Sequence, residues 1–269
     1  MNIAKVVKNR HLLYLICKLG YRRNHRNLQD LKIFHQGRFY LYNVEGFGIA
    51  SEGFNWYLTR EHLEQALYAV GCKYYVPRPG DTVVDIGAGL GEESSIIARL
   101  VGPQGRVFAI EANPVVYDVL RQVLADNQLG NVSVYNLALS PVREKVVIED
   151  NPANYLGSTL DQASTENLHE VEGWPLQDFC RQQGLRRIDF LKVNIEGAER
   201  FLSDFFATTD VVVPHVAIAC HDFRFRKEHN EFFRTKELVA DYLAANGYQL
   251  QFQHTGIDYI DDWVYGTKL

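Results

Sequence analysis

The chain has 269 residues, of which 46% are hydrophobic and 23% charged, and its formal net charge is −5. This composition is typical of one large globular domain, or of one domain with an added arm, and excludes disordered, coiled-coil and disulfide-scaffold proteins. The longest apolar run near the start, Leu12 to Cys17, is far shorter than the ~18–20 residues of a membrane helix, so we expect a cytoplasmic protein without a transmembrane segment. The four cysteines form no C-x-x-C pair, which predicts reduced, buried side chains.

Charge is distributed unevenly along the chain. Residues 1–38 contain nine Lys or Arg and one acid, which gives this segment a formal charge of +8. The remaining residues therefore carry a formal charge of −13. A basic arm on an acidic body can contact an anionic partner, or it can pack against the body itself. For this arm we expect a peripheral contact with an anionic surface rather than with a nucleic acid, and the intramolecular alternative stays open.

The N-terminal quarter of the chain lacks a regular alternation of strands and helices. Residues 1–38 indicate one or two basic helical segments, and the aromatic, glycine-punctuated residues 39–58 indicate short strands and turns. A helix is predicted over residues 59–71, with Thr59 as its N-cap.

From residue 81 onward, strands and helices alternate. Short apolar runs without polar alternation predict buried parallel strands, and repeated β-α units require right-handed crossovers. The predicted strands are residues 82–86, 107–110, 132–135 and 188–193, one within 211–220, and a closing pair at 248–252 and 263–265. The predicted helices follow the glycine turn at 87–91, follow Asn113 as N-cap, and lie at 175–183, 196–206 and 237–246. Residues 141–170 interrupt this rhythm and are expected to form an irregular insertion with some strand.

A glycine-rich turn joins the first strand of this sheet to its helix. The turn has the spacing G-x-G-x-G, with Asp85 two residues before the first glycine, and Glu111 ends the next strand. A dinucleotide fingerprint would instead be G-x-G-x-x-G with a pyrophosphate at the helix N-terminus. The Asp85 carboxylate would repel a pyrophosphate and suits a cationic ligand such as S-adenosylmethionine. Glu111 can accept hydrogen bonds from the two ribose hydroxyls of either ligand.

Several segments in this order resemble the FkbM-type S-adenosylmethionine-dependent methyltransferases. The matching pieces are Pro79–Ala88, Glu111–Pro114, Asn136–Ser140 and, most specifically, Ile188–Glu199, for which the family usually has I-D-x-x-K-x-D-x-E-G-x-E. The resemblance covers residues 60–222 and implies a class I methyltransferase fold. That fold is an α/β, Rossmann-like three-layer sandwich with a seven-stranded, mostly parallel sheet and an antiparallel last strand. It also implies methyl transfer to a hydroxyl of a small molecule, sugar or glycan.

The candidate site residues lie in the turns and at the carboxyl ends of the predicted strands. The cofactor-binding candidates are Asp85, Gly87, Ala88, Gly89, Gly91, Glu92, Glu111, Ala112, Asn113, Asn136, Ala138 and Asn194. Because a hydroxyl acceptor must lose its proton, the site needs a base or a metal. The base candidates are His221, Glu196 and Asp222, while Asn194 could hold the cofactor or the acceptor by hydrogen bonds.

Structural interpretations of these residues remain open beside the functional ones. His221 could be a structural histidine near a strand end, and Glu196 a first-turn acid favoured by the helix dipole. Lys192 is expected to form an internal ion pair with Asp189 or Glu199. Glu196, His221 and Asp222 have no tight metal-ligand spacing, so no metal is predicted.

Two departures from the family pattern bear on activity. Asn194 stands where the family usually has Asp, and Ala219 stands where it usually has the Glu of an E-x-H motif. A catalytically silent binding protein on the same fold is therefore the main alternative, and a nicotinamide-dependent oxidoreductase is a weaker one.

The acceptor side is expected to involve the aromatic segment and the insertion. Aromatic residues that could stack on an acceptor, or pack in the core, are Tyr40, Tyr42, Phe54, Trp56 and Tyr57. Residues 154–158 are a candidate loop over the cofactor. We place the domain boundary after residue 58, between an extension of residues 1–58 and a methyltransferase domain of residues 59–269.

Overall fold

The structure is a computed structural model that describes residues 10–23, 26–34, 38–52, 58–150 and 167–268. The strands are β1 (Leu28–Phe34), β2 (Phe39–Val44), β3 (Phe47–Ser51), β4 (Thr82–Ile86), β5 (Arg106–Glu111), β6 (Val132–Asn136), β7 (Ala138–Leu139), β8 (Glu144–Glu149), β9 (Leu168–Trp174), β10 (Phe190–Val193), β11 (His215–Ala219), β12 (Gln249–Gln251) and β13 (Trp263–Thr267). The helices are α1 (Arg10–Arg23), α2 (Arg60–Ala69), α3 (Glu92–Val101), α4 (Pro114–Asp126), α5 (Leu176–Gln182), α6 (Ser203–Thr208), α7 (Asp222–Glu228), α8 (Lys236–Ala245) and α9 (Asp258–Asp261), with 3-10 turns at Ala198–Leu202 and Glu231–Phe233.

The main sheet has seven strands in the order β12-β13-β11-β10-β4-β5-β6. Strand β13 runs antiparallel to both of its neighbours, β11 and β12, and the other pairs are parallel. The chain leaves β4 toward β5 on one side and later adds β10 on the other, so the order reverses at β4. In open α/β sheets, ligands bind at such a reversal, outside the carboxyl ends of the strands.

Helices cover both faces of this sheet because alternate strand residues point in opposite directions. Val84 on β4 belongs to a core cluster with residues of α5, α6 and α8, whereas Val83 belongs to a second cluster with residues of α2 and α3. The arrangement is a class I methyltransferase three-layer sandwich, which confirms the fold expected from the sequence.

Local signals predicted most element boundaries well. Strand β4 has the predicted bounds, and the predicted caps are confirmed at Thr59, whose hydroxyl accepts from the His62 amide at 3.3 Å, and at Asn113, whose side chain accepts from Val115 at 2.9 Å. A helical assignment of residues 28–34 is wrong, since this segment is β1. It pairs antiparallel with β2, and Leu28 and Leu31 are buried. Cross-strand pairing overrides the local pattern there.

The N-terminal region packs against the main sheet's helices. Strands β1, β2 and β3 form a separate antiparallel sheet, and Phe39, Leu41 and Ala50 share a core cluster with side chains of α4. Gly48 and Asn127 exchange two hydrogen bonds at 3.0 and 2.9 Å. These contacts join this region to the sheet's helices.

Part of the basic arm also pairs with acids of its own chain. Arg26 lies 3.4 Å from Glu61, and Arg38 lies 2.6 Å from Asp150. These two arginines therefore pack against acids of the same chain, which is the alternative to an anionic partner.

The insertion contributes to a third sheet, with the strand order β7-β9-β8. The expected strand content of residues 141–170 is confirmed in β8 and the start of β9, whereas residues 154–158 lie outside the described residues. All four cysteines are free and buried, as predicted. Among the helices described, none is long and apolar enough to cross a membrane.

Candidate functional site

A cavity opens at the carboxyl ends of β4, β5 and β10, where the strand order reverses. It encloses about 720 Å³ of space free of protein atoms, part of which is open to solvent. One wall is apolar and includes Val116, Leu137, Leu139 and Ile148. The lining includes eight predicted site residues: Gly87, Gly89, Glu111, Ala112, Asn113, Ala138, Asn194 and Glu196.

The glycine turn lets two loops approach closely at the floor of the cavity. Gly87 has a φ of +79°, and a Cβ at this position would collide with the backbone carbonyl oxygen of Asn194. The amides of Gly87 and Ala88 both donate to the Ile110 carbonyl, at 2.9 and 3.0 Å. A side chain at position 87 would therefore force apart the loops that follow β4 and β10.

Glu111 presents a carboxylate at the end of β5. One of its oxygens accepts from the Gly89 amide and the other from the Asn113 amide, each at 2.9 Å. Burial raises the pKa of Glu111 to about 7. The backbone donors lower this pKa, but they do not compensate for desolvation, and the charge of Asp85 raises it further. Each oxygen retains capacity for a further hydrogen bond, as the recognition of two ribose hydroxyls requires.

Asn136 holds the backbone of this strand end instead of lining the cavity. Its side-chain amide donates to the carbonyls of Glu111 and Ala112, at 2.9 and 2.8 Å. It therefore acts on the cavity only through Glu111 and Ala112.

Asp85 lies beneath the turn and is fully buried. Its oxygens accept from the Ser94 hydroxyl at 2.6 Å and the Lys192 ammonium at 2.9 Å, and Lys192 also lies 2.8 Å from Glu93. Burial alone would lower the pKa of Lys192, but Asp85 and Glu93 raise it. The expected direct contact between Asp85 and a cofactor amino group thus lacks supporting geometry.

The expected ion-pair partners of Lys192 are corrected by the same observation. Lys192 lies opposite Asp85 in the parallel register of β10 and β4, which brings the two side chains together. Asp189 instead accepts a hydrogen bond from the Thr82 amide at 2.8 Å, and Glu199 contacts a histidine.

The imidazole ring of His221 lies between two glutamates at the end of β11. Its Nδ1 lies 3.1 Å from Glu199 and its Nε2 lies 3.3 Å from Glu196, and the residue is only 3% exposed. Burial alone would lower the pKa of His221, but the charges of Glu199 and Glu196 raise it to about 10. An imidazolium at neutral pH has no lone pair, which argues against His221 as the base.

Glu196 is a second carboxylate on the lining of the cavity. It has a φ of +52° and precedes Gly197 at +99°, so it lies in a turn before the 3-10 segment; it is not the first-turn acid of a helix at 196–206. Burial raises the pKa of Glu196, but His221 and Arg224 outweigh it and lower the pKa below its usual value. Arg224 donates to Glu196 at 2.7 Å, so Glu196 is held as an anion.

Asp222, the third base candidate, binds backbone amides at the start of α8. It accepts from the backbone amides of Thr235 and Lys236, at 3.0 and 2.8 Å, at the start of α8. It is therefore not directed toward His221 and Glu196 as a third ligand would be. In the part of the chain that the structure describes, no group of three or more His, Cys, Asp or Glu side chains is placed to hold a metal.

The remaining predicted residues lie near the cavity but are not among its lining. Gly91 has a φ of +91°, a backbone conformation that side chains disfavour, and a Cβ there would also crowd a methyl group of Leu120. Glu92 begins α3, and burial, with the charge of Glu93, raises the pKa of Glu92 to about 8. Tyr40 and Tyr42 are buried in the core, as the core-packing alternative expects, and the other three candidate aromatic residues lie outside the described residues.

A hydrogen-bonded chain that sequence reasoning missed connects the cavity rim to the N-terminal region. Asn113 donates to Asp150 at 2.5 Å, Asp150 lies 2.6 Å from Arg38, and Arg38 lies 3.0 Å from Glu52. Asn113 and Asp150 are 37 positions apart, and Asp150 and Arg38 are 112 apart. No local motif marks such a set, which only the packed fold brings together.

The family model of the methyltransferase FkbM domain matches residues 85–250, more than half of the chain. This chain belongs to the FkbM methyltransferase family. Its cofactor is S-adenosylmethionine. Membership in this family removes the nicotinamide-dependent alternative.

Individual relatives of this FkbM family member match over shorter stretches. The protein-L-isoaspartate O-methyltransferase of Aeropyrum pernix is 46% identical over 48 residues, which cover 18% of this chain and 18% of that protein. The methyltransferase sdnD of Sordaria araneosa is 32% identical over 148 residues, which cover 44% of this chain and 57% of sdnD. The structure of the O-methyltransferase TomG from Streptomyces achromogenes aligns with a TM-score of 0.47 and 13% identity over 77% of this chain and 78% of TomG. The chain thus spans less than two thirds of both sequence relatives.

Proposed function

We propose that this protein is an O-methyltransferase that transfers the methyl group of S-adenosylmethionine to a hydroxyl of a small molecule, sugar or glycan. The residues of the cavity fit the cofactor. The Glu111 carboxylate suits the ribose hydroxyls, the apolar wall around Leu137 and Leu139 suits the adenine ring, and Gly87 leaves room for close backbone approach. When bound, the cofactor supplies an electrophilic methyl group on a sulfonium.

The observation that carries the proposal is the anionic Glu196 carboxylate on the cavity at the carboxyl edge of the sheet. In this proposal, Glu196 accepts the hydrogen bond of the acceptor hydroxyl and takes its proton. A hydroxyl oxygen becomes a much stronger acid as it acquires a third bond. A carboxylate with a lowered pKa can therefore receive this proton late in the reaction.

His221 and Arg224 are positioning residues in this proposal. Both donate to Glu196, at 3.3 and 2.7 Å, and fix its orientation and charge. Asn194, whose amide can donate and accept, orients the acceptor or the cofactor's amino-acid end. Correct alignment can contribute about 7–11 kcal/mol to such a displacement, so a weak base is sufficient.

We retain as a proposal the division into an N-terminal extension, residues 1–58, and a methyltransferase domain, residues 59–269. The change at residue 59 from a small antiparallel sheet to regular strand–helix alternation supports it. The cluster shared by β2, β3 and α4 adds that the two parts fold against each other.

Two measurements test the proposed reaction. Calorimetric titration with S-adenosylhomocysteine should show saturable binding, and its absence would overturn the cofactor site. Labelled S-adenosylmethionine, incubated with a panel of hydroxylated acceptors, should then give labelled ether products. Label recovered only on amines would contradict O-methylation.

The departures Asn194 and Ala219 favour a second candidate, a catalytically silent binding protein. This candidate requires cofactor binding without turnover on the panel. Asn194→Asp introduces the residue usual in the family. If the wild type is silent because of Asn194, this variant should gain turnover. If the wild type does turn over the panel, equal or lower turnover in Asn194→Asp would show that the asparagine is compatible with catalysis. No turnover in either protein would show that Asn194 is not what silences the site.

A further inference from the structure

Helix α1 presents apolar residues on two separate faces. Leu13, Cys17 and Tyr21 recur every four residues and are each at most 1% exposed, in a core cluster shared with β1, β2 and α3. This face already provides the helix with its packing surface. A surface helix normally carries polar residues on the side away from the core.

The side of α1 away from the core carries leucines instead. Leu12, Leu15 and Leu19 are 50%, 55% and 66% exposed, and their spacing of three and four places them along one stripe, here called the leucine face. Single exposed leucines are common in soluble proteins, but three along one stripe mark an interaction surface.

Cations flank the leucine face. Lys18, Arg22 and Arg23 are exposed, and α1 contains no acid. Within the described residues, no ion pair joins Arg22 or Arg23 to another side chain, whereas Arg26 is paired with Glu61. Lys18 donates to the Tyr14 hydroxyl at 3.3 Å and has no acidic partner in the described part of the chain.

We propose that the leucine face of α1 docks this protein on a membrane surface that contains anionic lipid. Leucines on one face of a helix with flanking Lys and Arg are typical of a helix that lies in the interface plane of a bilayer. The leucines enter the boundary between headgroups and acyl chains, and the cations contact anionic headgroups. A second copy of this chain is a poorer occupant, because a symmetric contact would bring two sets of cations together.

Co-sedimentation with lipid vesicles tests the proposal on the full chain. Binding to phosphatidylcholine vesicles that contain phosphatidylserine should exceed binding to pure phosphatidylcholine vesicles on the order of 10-fold or more, and should fall with added salt. The double variant Leu15→Gln/Leu19→Gln should bind the anionic vesicles roughly 10-fold less. Leu238→Gln on α8, a leucine 42% exposed outside the leucine face, is the matched control and should bind as the wild type does.

Thermal unfolding checks that each variant is folded, and Lys18→Gln/Arg22→Gln/Arg23→Gln gives an independent variant without altered leucines. This triple variant should lose the preference for anionic vesicles.

Equal binding of the wild type to both kinds of vesicle would overturn the proposal, as would unchanged binding by the double variant. A dimer in light scattering that the double variant dissociates, without vesicle binding, would assign the face to self-association. Binding to single-stranded RNA without vesicle binding would assign the charge to nucleic acid.

Discussion

Glu111 and Glu196 line the same cavity in opposite electrostatic environments. Glu111 accepts hydrogen bonds only from backbone amides in the described structure, and burial raises its pKa to about 7. Glu196 is also desolvated, yet His221 and Arg224 hold its pKa below the usual value. Two residues of one type thus have pKa values shifted in opposite directions, because Glu196 has cationic partners and no cation contacts Glu111 among the described residues.

Because of this difference, the two sides of the cavity should respond differently to a change in pH. On the proposed cofactor side, a carboxyl group titrates close to neutrality and can respond to modest acidification. On the proposed acceptor side, the carboxylate and the imidazolium support each other's charge, so both stay ionised across the neutral range.

The largest effect is expected for Glu196→Gln. Removing the proton acceptor should lower kcat on the order of 10²–10⁴-fold, while the affinity for S-adenosylhomocysteine stays within about threefold. Steady-state kinetics and calorimetry measure the two quantities, and Glu237→Gln, whose side chain is 79% exposed, is the matched control. A parallel loss of cofactor affinity would place Glu196 in the cofactor half.

His221→Phe should destabilise the fold, because it leaves the fully buried Glu199 without its cationic partner. Removing one partner of a buried pair costs about 3–5 kcal/mol of unfolding free energy. Glu111→Gln is the comparison from the other half of the cavity, and should cost less, about 1–3 kcal/mol, because it breaks no ion pair and leaves only one of the Gly89 and Asn113 amides without an acceptor. Denaturant unfolding compares the two, and similar losses would remove the distinction between the halves.

Stability should also depend on pH through His221. Its pKa is raised from 6.5 to about 10 in the folded protein, so its contribution is fully present below pH 6.5 and is lost as the pH rises toward 10. The free energy of unfolding should fall in this window by up to about 1.4 kcal/mol per pH unit. His221→Gln should remove this slope, and an unchanged slope would show that another group titrates there.

Cofactor affinity should depend on pH through Glu111, in the opposite direction. The ionised carboxylate is the form that accepts hydrogen bonds from ribose hydroxyls, so protonation below about pH 7 weakens binding. The Kd for S-adenosylhomocysteine should rise by up to about 10-fold per pH unit below 7. Calorimetry at several pH values measures it. Glu111→Gln should bind more weakly at pH 8 and show no such dependence; a dependence that persists in the variant would point to another group.

Features encoded over a few neighbouring residues were predicted well from the sequence. Strand β4, the caps at Thr59 and Asn113 and the glycine turn each depend on short apolar runs or side-chain-to-backbone hydrogen bonds. The sheet with its antiparallel β13 followed from the family resemblance, which depends on the order of such segments along the chain. Residues 28–34 are the counterexample, because their strand exists only through pairing with β2.

The order of short segments along the chain is enough to predict the fold class, the cofactor and most of the residues that line the cavity. The partner that each ionisable group meets depends on how the distant segments pack. Asp85 and Lys192 are 107 positions apart, and His221 and Glu199 are 22 apart, yet these contacts decide that Asp85 lies beneath the cavity and that His221 is protonated. Electrostatic interactions act over a few ångströms in space, so the charge state of a side chain depends on neighbours that packing supplies.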